Sequence, residues 1–238
     1  MSKLPQVIGL LALLMSGAAS AGDSEDAVQS IEVKGTRTRL VSYKEPYDIA
    51  KKVQRATDGR VALGLRLVPS KAGVRVDDIK LWLEGGNESI PVKVSDGGIF
   101  VVPVKDEIAA HDGQFAINKQ KGDLTARVVI VPAIERHAWT LGMVRKSIAD
   151  AKSAIDEFTP WYQKPFAMRV NTVSVCTKAA GEPVKITQGG AVVATLQTSD
   201  KATNDAGQPV YCQHFKGDEQ YDQASVLGIP DDAEVLFL

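Results

Sequence analysis

From residue 61 onward, apolar residues take every second place in short runs. Val61, Leu63, Leu65 and Leu67 alternate up to a stop at Pro69-Ser70. Ile79, Leu81 and Leu83 alternate up to Gly85-Gly86, and Ile90, Val92 and Val94 form the next run. Asp96-Gly97-Gly98 turns the chain into a run over 99–104, and further runs cover 113–118 and 124–131. A period of two puts one side of each strand in a core. Short strands separated by turn residues predict antiparallel pairing in a sandwich or barrel. The glycine pairs Gly85-Gly86, Gly97-Gly98 and Gly189-Gly190 lie between such runs, so they read as hairpin turns and not as phosphate loops.

Two stretches change period. A loosely alternating run over 31–41 predicts a first strand, and Pro46 then suits the first turn of a helix over about 46–56. Asp48 and Lys52 stand at i,i+4 in it, and Asp58-Gly59 ends it. Later, Leu141, Val144, Ile148, Ala151, Ile155 and Phe158 recur at spacings of three and four, with charged residues between them. That stripe predicts an amphipathic helix with Thr140 as N-cap and Pro160 as its stop. Beyond it the strand pattern returns at 168–177, 183–187, 191–198, 209–215 and 233–238. Lys201–Gln208 and Lys216–Gln223 read as polar loops. The expected fold is mainly β: two antiparallel sandwich-like units, 22–132 and 166–238, joined by one amphipathic helix within 133–165.

The first residues bear on compartment. Lys3 precedes the apolar run VIGLLALLM, and Ala19-Ser20-Ala21 forms a small-residue site before Gly22. This is the pattern of a secretory signal peptide, 1–21, cleaved after Ala21. The run is shorter than the roughly 20 apolar residues a membrane helix needs. A soluble, periplasmic protein with no transmembrane segment is expected.

Charge selects no partner class. The formal net charge is −1, so a strongly basic nucleic-acid binder is not indicated. Along the chain, Lys34–Arg75 holds eleven basic and three acidic residues, while Asp200–Glu234 holds two basic and eight acidic. The bland reading is charges on the solvent sides of strands. The functional one is a basic face for an anionic glycan or lipid head group.

Cys176 and Cys212 are the only cysteines. An even count in an exported chain predicts a disulfide, worth roughly 3–4 kcal/mol for a loop of this length. No C-x-x-C spacing suggests redox catalysis.

Reactive motifs are missing. His111, His137 and His214 are far apart and fit no metal-ligand spacing, and no G-x-S-x-G elbow occurs. Asp77-Asp78 and Asp231-Asp232 are adjacent pairs, whose side chains point apart on a strand and make a poor acid/base dyad. No catalytic residue, metal or cofactor is expected. The remaining candidates are aromatic: Trp82, Trp139, Trp161 and Tyr162 could stack on a sugar ring, or else pin the long helix and the sheets.

The segments RLVPSKAGV and IKLWLEGGNESIPVKVSDGGIFVVP, with the rest of the stretch to Asn118, and the strand MRVNTVSVC resemble uncharacterised exported proteins of proteobacteria. The turn Asp96-Gly97-Gly98-Ile99-Phe100 has one residue more than their D-G-x-F turn. The resemblance implies a periplasmic location and a β-rich fold, and brings no activity with it. A non-enzymatic protein that binds or scaffolds an envelope protein or glycan is therefore expected. The alternatives are a polysaccharide hydrolase with carboxylates in a cleft between the units, and an assembly chaperone working by strand donation.

Overall fold

The run Val61–Pro69 forms a strand that is buried on one face and partly covered on the other. Leu63, Leu65 and Leu67 enter the main core, while Ala62, Gly64 and Arg66 face the other way. The structure is a computed structural model and describes residues 37–159, 169–203 and 208–238. The expected signal peptide, the strand residues 31–36, Pro160, Trp161 and Tyr162 lie outside the described residues.

Among the described residues seven strands precede the long helix: β1 (Thr38–Ser42), β2 (Val61–Pro69), β3 (Leu81–Gly85), β4 (Glu88–Val92), β5 (Ile99–Val101), β6 (Gln114–Ile117) and β7 (Leu124–Pro132). Helix α1 (Lys44–Ala56) follows β1, and a short helix, α2 (Asp106–Ala110), precedes β6. The long helix is α3 (Leu141–Phe158). After it come β8 (Val173–Thr177), β9 (Pro183–Gln188), β10 (Ala191–Gln197), β11 (Asp200–Thr203), β12 (Pro209–Phe215), β13 (Val226–Gly228) and β14 (Glu234–Phe237). They build four sheets, ordered β1-β6-β3-β4, β5-β2-β7, β10-β9-β13 and β11-β12-β8-β14. Every pairing within them is antiparallel. The fold is mainly β with a helical minority. No helix among the described residues is long and apolar enough to cross a membrane.

One hydrophobic cluster runs across the division that the sequence suggests. It holds Leu63 and Phe115 from before α3, Val144 and Ile148 from α3 itself, and Val175 and Phe237 from after it. Residues 35–238 form one compact unit. The helix is the reason: its apolar stripe supplies buried side chains to the shared core. Thr140 caps it as expected, accepting from the Met143 amide at 3.1 Å. The amides of Leu141 and Gly142 donate to the carbonyls of Ser225 and Gln223. Asp150 on the same helix accepts from Arg60 at 2.6 Å.

Several details differ from the expectation. The Gly97-Gly98 turn is not a hairpin, because β4 and β5 belong to different sheets. Gly98 (φ +75°) crosses between them with its Cα so close to β2 that a Cβ would lie 2.9 Å from the Leu67 carbonyl oxygen. Asp200–Thr203, mostly within the expected polar loop, is an edge strand. Helix α1 starts at Lys44, so its i,i+4 ion pair is Lys44–Asp48 at 2.7 Å.

A polar cluster ties α1 to α2. Tyr47 donates to Asp106 at 2.5 Å, and Lys51 bonds the same carboxylate at 2.9 Å. The Tyr47 hydroxyl, then the Lys51 ammonium, hold the Asp106 carboxyl below its ordinary value. A depressed carboxyl contributes stability that is present above its unfolded pKa and lost as pH falls through the folded one. Asp106→Asn should therefore flatten the loss of stability on acidification below about pH 4, measured by urea unfolding across pH, and should leave the slope near neutrality unchanged.

Candidate functional site

The register of the last sheet decides what its back face presents. His214, Ser174 and Leu236 stand abreast across β12, β8 and β14, and so do Cys212, Cys176 and Glu234. Val173, Val175 and Phe237 lie on the opposite face, in the core. Cys176 and Cys212 are directly opposite one another, Cα–Cα 4.0 Å, and form the expected disulfide. Leu236 packs with Ile99, Val129, Val131 and Ala62, on the back of β5-β2-β7. The backs of two sheets thus meet along one edge.

Beside that contact lies an open groove of about 450 Å³. Its apolar lining includes Ile99, Val210, Leu236, Leu238 and the disulfide. Arg66, Lys93, Arg136 and Lys178 bring positive charge, and Asp96, Asp231, Asp232 and Glu234 bring negative charge. These residues come from β2, from the connection between β4 and β5, from the segment between β7 and α3, from the end of β8, and from β14 and its approach. Lys178 pairs with Asp96 at 2.5 Å, joining the Gly97-Gly98 turn to the last sheet. Asp96, with Asp232 and Glu234 behind it, holds the Lys178 ammonium above its ordinary value. Both partners of the pair are largely exposed, at 70% and 65%, so salt screens it. Arg136 donates to the Pro230 carbonyl and fixes the loop that carries Asp231 and Asp232. Gly97 borders the groove with room for a side chain: a Cβ there would stand 3.7 Å from a Glu234 carboxylate oxygen, in ordinary contact.

The same back face carries a chain that sequence reasoning missed. Ser174 Oγ lies 2.7 Å from His214 Nδ1, and His214 Nε2 lies 3.5 Å from Asp200 Oδ2. The residue types are those of a nucleophilic triad. Access decides against that use. Ser174 is fully buried, in a strand flanked by β12 and β14, and Leu236 stands opposite it. A substrate carbonyl must come within about 3 Å of the attacking oxygen, and Ser174 offers no such approach. The exposed end of the chain is Asp200, at its carboxylate. The arrangement satisfies a buried hydroxyl and orients an imidazole.

The aromatic candidates separate. Trp139 is buried in the core, where its carbonyl accepts from the Leu227 amide at 2.9 Å, so it serves packing and takes no ligand. Trp82 is on the outer side of β3, opposite Pro91 and Ala116, with the Arg37 guanidinium 4.1 Å from its ring centroid. The cation already occupies the face a sugar would use. The histidines stand apart. His111 bonds the Glu107 carbonyl at the end of α2, and His137 sits 3.2 Å from Glu135. Asp77 pairs with Arg75, and Asp78 with Lys119. Among the described residues no group of three metal-ligating side chains is assembled.

No family model, curated protein or solved structure matches this chain.

Ser174→Ala removes the hydroxyl partner of His214 Nδ1 and should cost about 1 kcal/mol of stability, read by urea unfolding. A fluorophosphonate probe should leave Ser174 of the native protein unmodified by intact-mass spectrometry. Stoichiometric labelling there would make the serine a nucleophile.

Proposed function

We propose that this chain is a non-enzymatic binding protein of the bacterial cell envelope, with the groove between the two sheet backs as its ligand site. The observation that carries the reading is the groove's lining, an apolar floor bordered by four cations and four carboxylates. Such a border suits an extended ligand with charges of both signs, above all a peptide segment. The floor supplies burial, and the border supplies orientation and selectivity.

Export supports the setting. The N-terminal pattern of residues 1–21 is that of a secretory signal, and the Cys176–Cys212 bridge suits an oxidising compartment. The resemblance of the stretch around Arg66–Asn118 to exported proteobacterial proteins points the same way. A hydrolase is the weaker reading. Asp231, Asp232 and Glu234 come from a single stretch of chain, and Asp96 is paired with Lys178. Glycoside hydrolysis needs two carboxyls on opposite sides of a bond. An assembly chaperone is the second reading, and the open outer edge of β7 favours it.

Two measurements test the proposal. N-terminal sequencing of protein recovered from the periplasm should begin at Gly22; recovery of intact chain from the cytoplasm would remove the setting. A photo-crosslinking residue at Lys93 or Thr203, in the groove, should give a discrete adduct in intact cells, and one at Lys121, outside it, should not. Gly97→Phe should fold normally, since Gly97 has no positive φ and open contacts, and should abolish the adduct. An adduct unchanged by Gly97→Phe would sink the groove as the site.

A further inference from the structure

We infer that the outer edge of β7 is a docking site for an extended peptide strand with an acidic residue between two apolar ones. The inference does not rest on the groove.

The hydrogen-bond pattern of β2 shows which groups of β7 are open. Leu67 N donates to Gly98 O at 2.8 Å, and Val102 N donates to Leu63 O at 2.9 Å, so the odd residues of β2 bond toward β5. Ser70 N donates to Asp123 O at 2.8 Å, and Ala133 N donates to Arg60 O at 2.9 Å, so its even residues bond toward β7. In the β2–β7 register, even residues of β2 face odd residues of β7: Val68 with Thr125, Arg66 with Arg127, Gly64 with Val129. Antiparallel bonding alternates along a strand. The N–H and C=O groups of Ala126 and Val128 therefore point away from β2. β7 has no strand partner on that side among the described residues.

This stretch is also uncovered. Thr125, Ala126, Arg127 and Val128 are all exposed, and Val128 is 64% accessible. Val128 stands beside Leu65 and Ala126 beside Leu67, on the core face of the sheet. An added strand with apolar residues opposite them would extend that face over Val128. Edge strands left open in this way receive extended peptides by main-chain pairing, with side chains setting specificity.

Charge names the occupant. Arg127 lies on the other face, directly across from Arg66. Like charges directly opposite one another are unfavourable, and an opposite charge on an added strand is favourable. Arg127 has no ion pair among the described residues. A second copy of this chain pairing β7 against β7 would bring two more guanidinium groups to the same spot, so self-association is disfavoured. The fitting segment carries Asp or Glu opposite Arg127, and Val, Ile or Thr on either side of it.

The test uses the full mature chain and blocked peptides. Ser-Thr-Val-Glu-Val-Thr-Ser should bind and shift the backbone amide signals of Ala126 and Val128. Its Lys-for-Glu counterpart should bind about tenfold more weakly, from one favourable and one unfavourable cross-strand pair. Arg127→Glu should reverse that order. Val128→Pro removes an outward N–H at an edge position that tolerates proline, and should abolish binding of both peptides. Gly97→Phe should leave binding unchanged, which separates this site from the groove. Amide shifts elsewhere, or an order of affinity that Arg127→Glu does not reverse, would overturn the inference. So would concentration-dependent dimerisation that Val128→Pro removes.

Discussion

A central strand has two faces to cover, and β2 has one that is fully buried and one that is partly covered. On one side Leu63, Leu65 and Leu67 need the core shared by α1, α3 and the other sheets. At roughly 25 cal/mol per Å² of apolar surface, each leucine contributes about 2 kcal/mol there. On the other side, Ala62 and Gly64 leave only a shallow surface, and the second cluster around Ile99, Val129 and Val131 closes over it with Leu236. Gly64 makes room for its sheet neighbours to lean over β2: a Cβ there would fall 3.0 Å from Val129 and 3.3 Å from Ile99 on the flanking strands. The covering is partial because β14 reaches only one end of the sheet back. The groove is what this partial covering leaves open.

That origin explains which parts were legible in the sequence. Runs with strict alternation, such as 61–69 and 183–188, give strands β2 and β9 directly, because one buried face fixes the period. Thr140 and the 3.6-residue stripe give α3 for the same reason. What escaped is short or marginal. Asp200–Thr203 has one sheet neighbour and little apolar content, Val226–Gly228 is three residues long, and Asp106–Ala110 is a single turn held by Tyr47 and Lys51. None of these buries enough of its own side chains to leave a period in the sequence. The Gly97-Gly98 turn carries a correct local signal, but whether the following strand joins the same sheet is decided by β2, far away along the chain.

The site was less legible than the fold. The disulfide was the exception, since pairing two cysteines needs no knowledge of the path between them. Glu234 meets the groove only because β14 pairs with β8, and Asp96 only because the turn before β5 crosses to β2. Ser174 and His214 come together through a β8–β12 register that alternation cannot reveal. Trp139 and Trp82, by contrast, were chosen for being aromatic, and packing consumes both: one in the core, the other beneath Arg37. Residue type suggests what a side chain could do, but burial decides whether it remains available.

The disulfide joins strands that are already hydrogen-bonded neighbours, so within the folded sheet it adds little connectivity. Its effect is on the unfolded chain, where it closes a loop of 36 residues that contains β9, β10 and β11. By loop-closure entropy this is worth roughly 3–4 kcal/mol. The gain falls on the part of the molecule with the most exposed strands, including β10, whose Val192 and Val193 face solvent. The same bond lies in the groove floor, where it holds β8 and β12 at a fixed spacing beneath Lys178 and Glu234. Stability and the shape of the groove are thus joined at one covalent bond. A chain kept reduced would lose loop stabilisation and a rigid floor together.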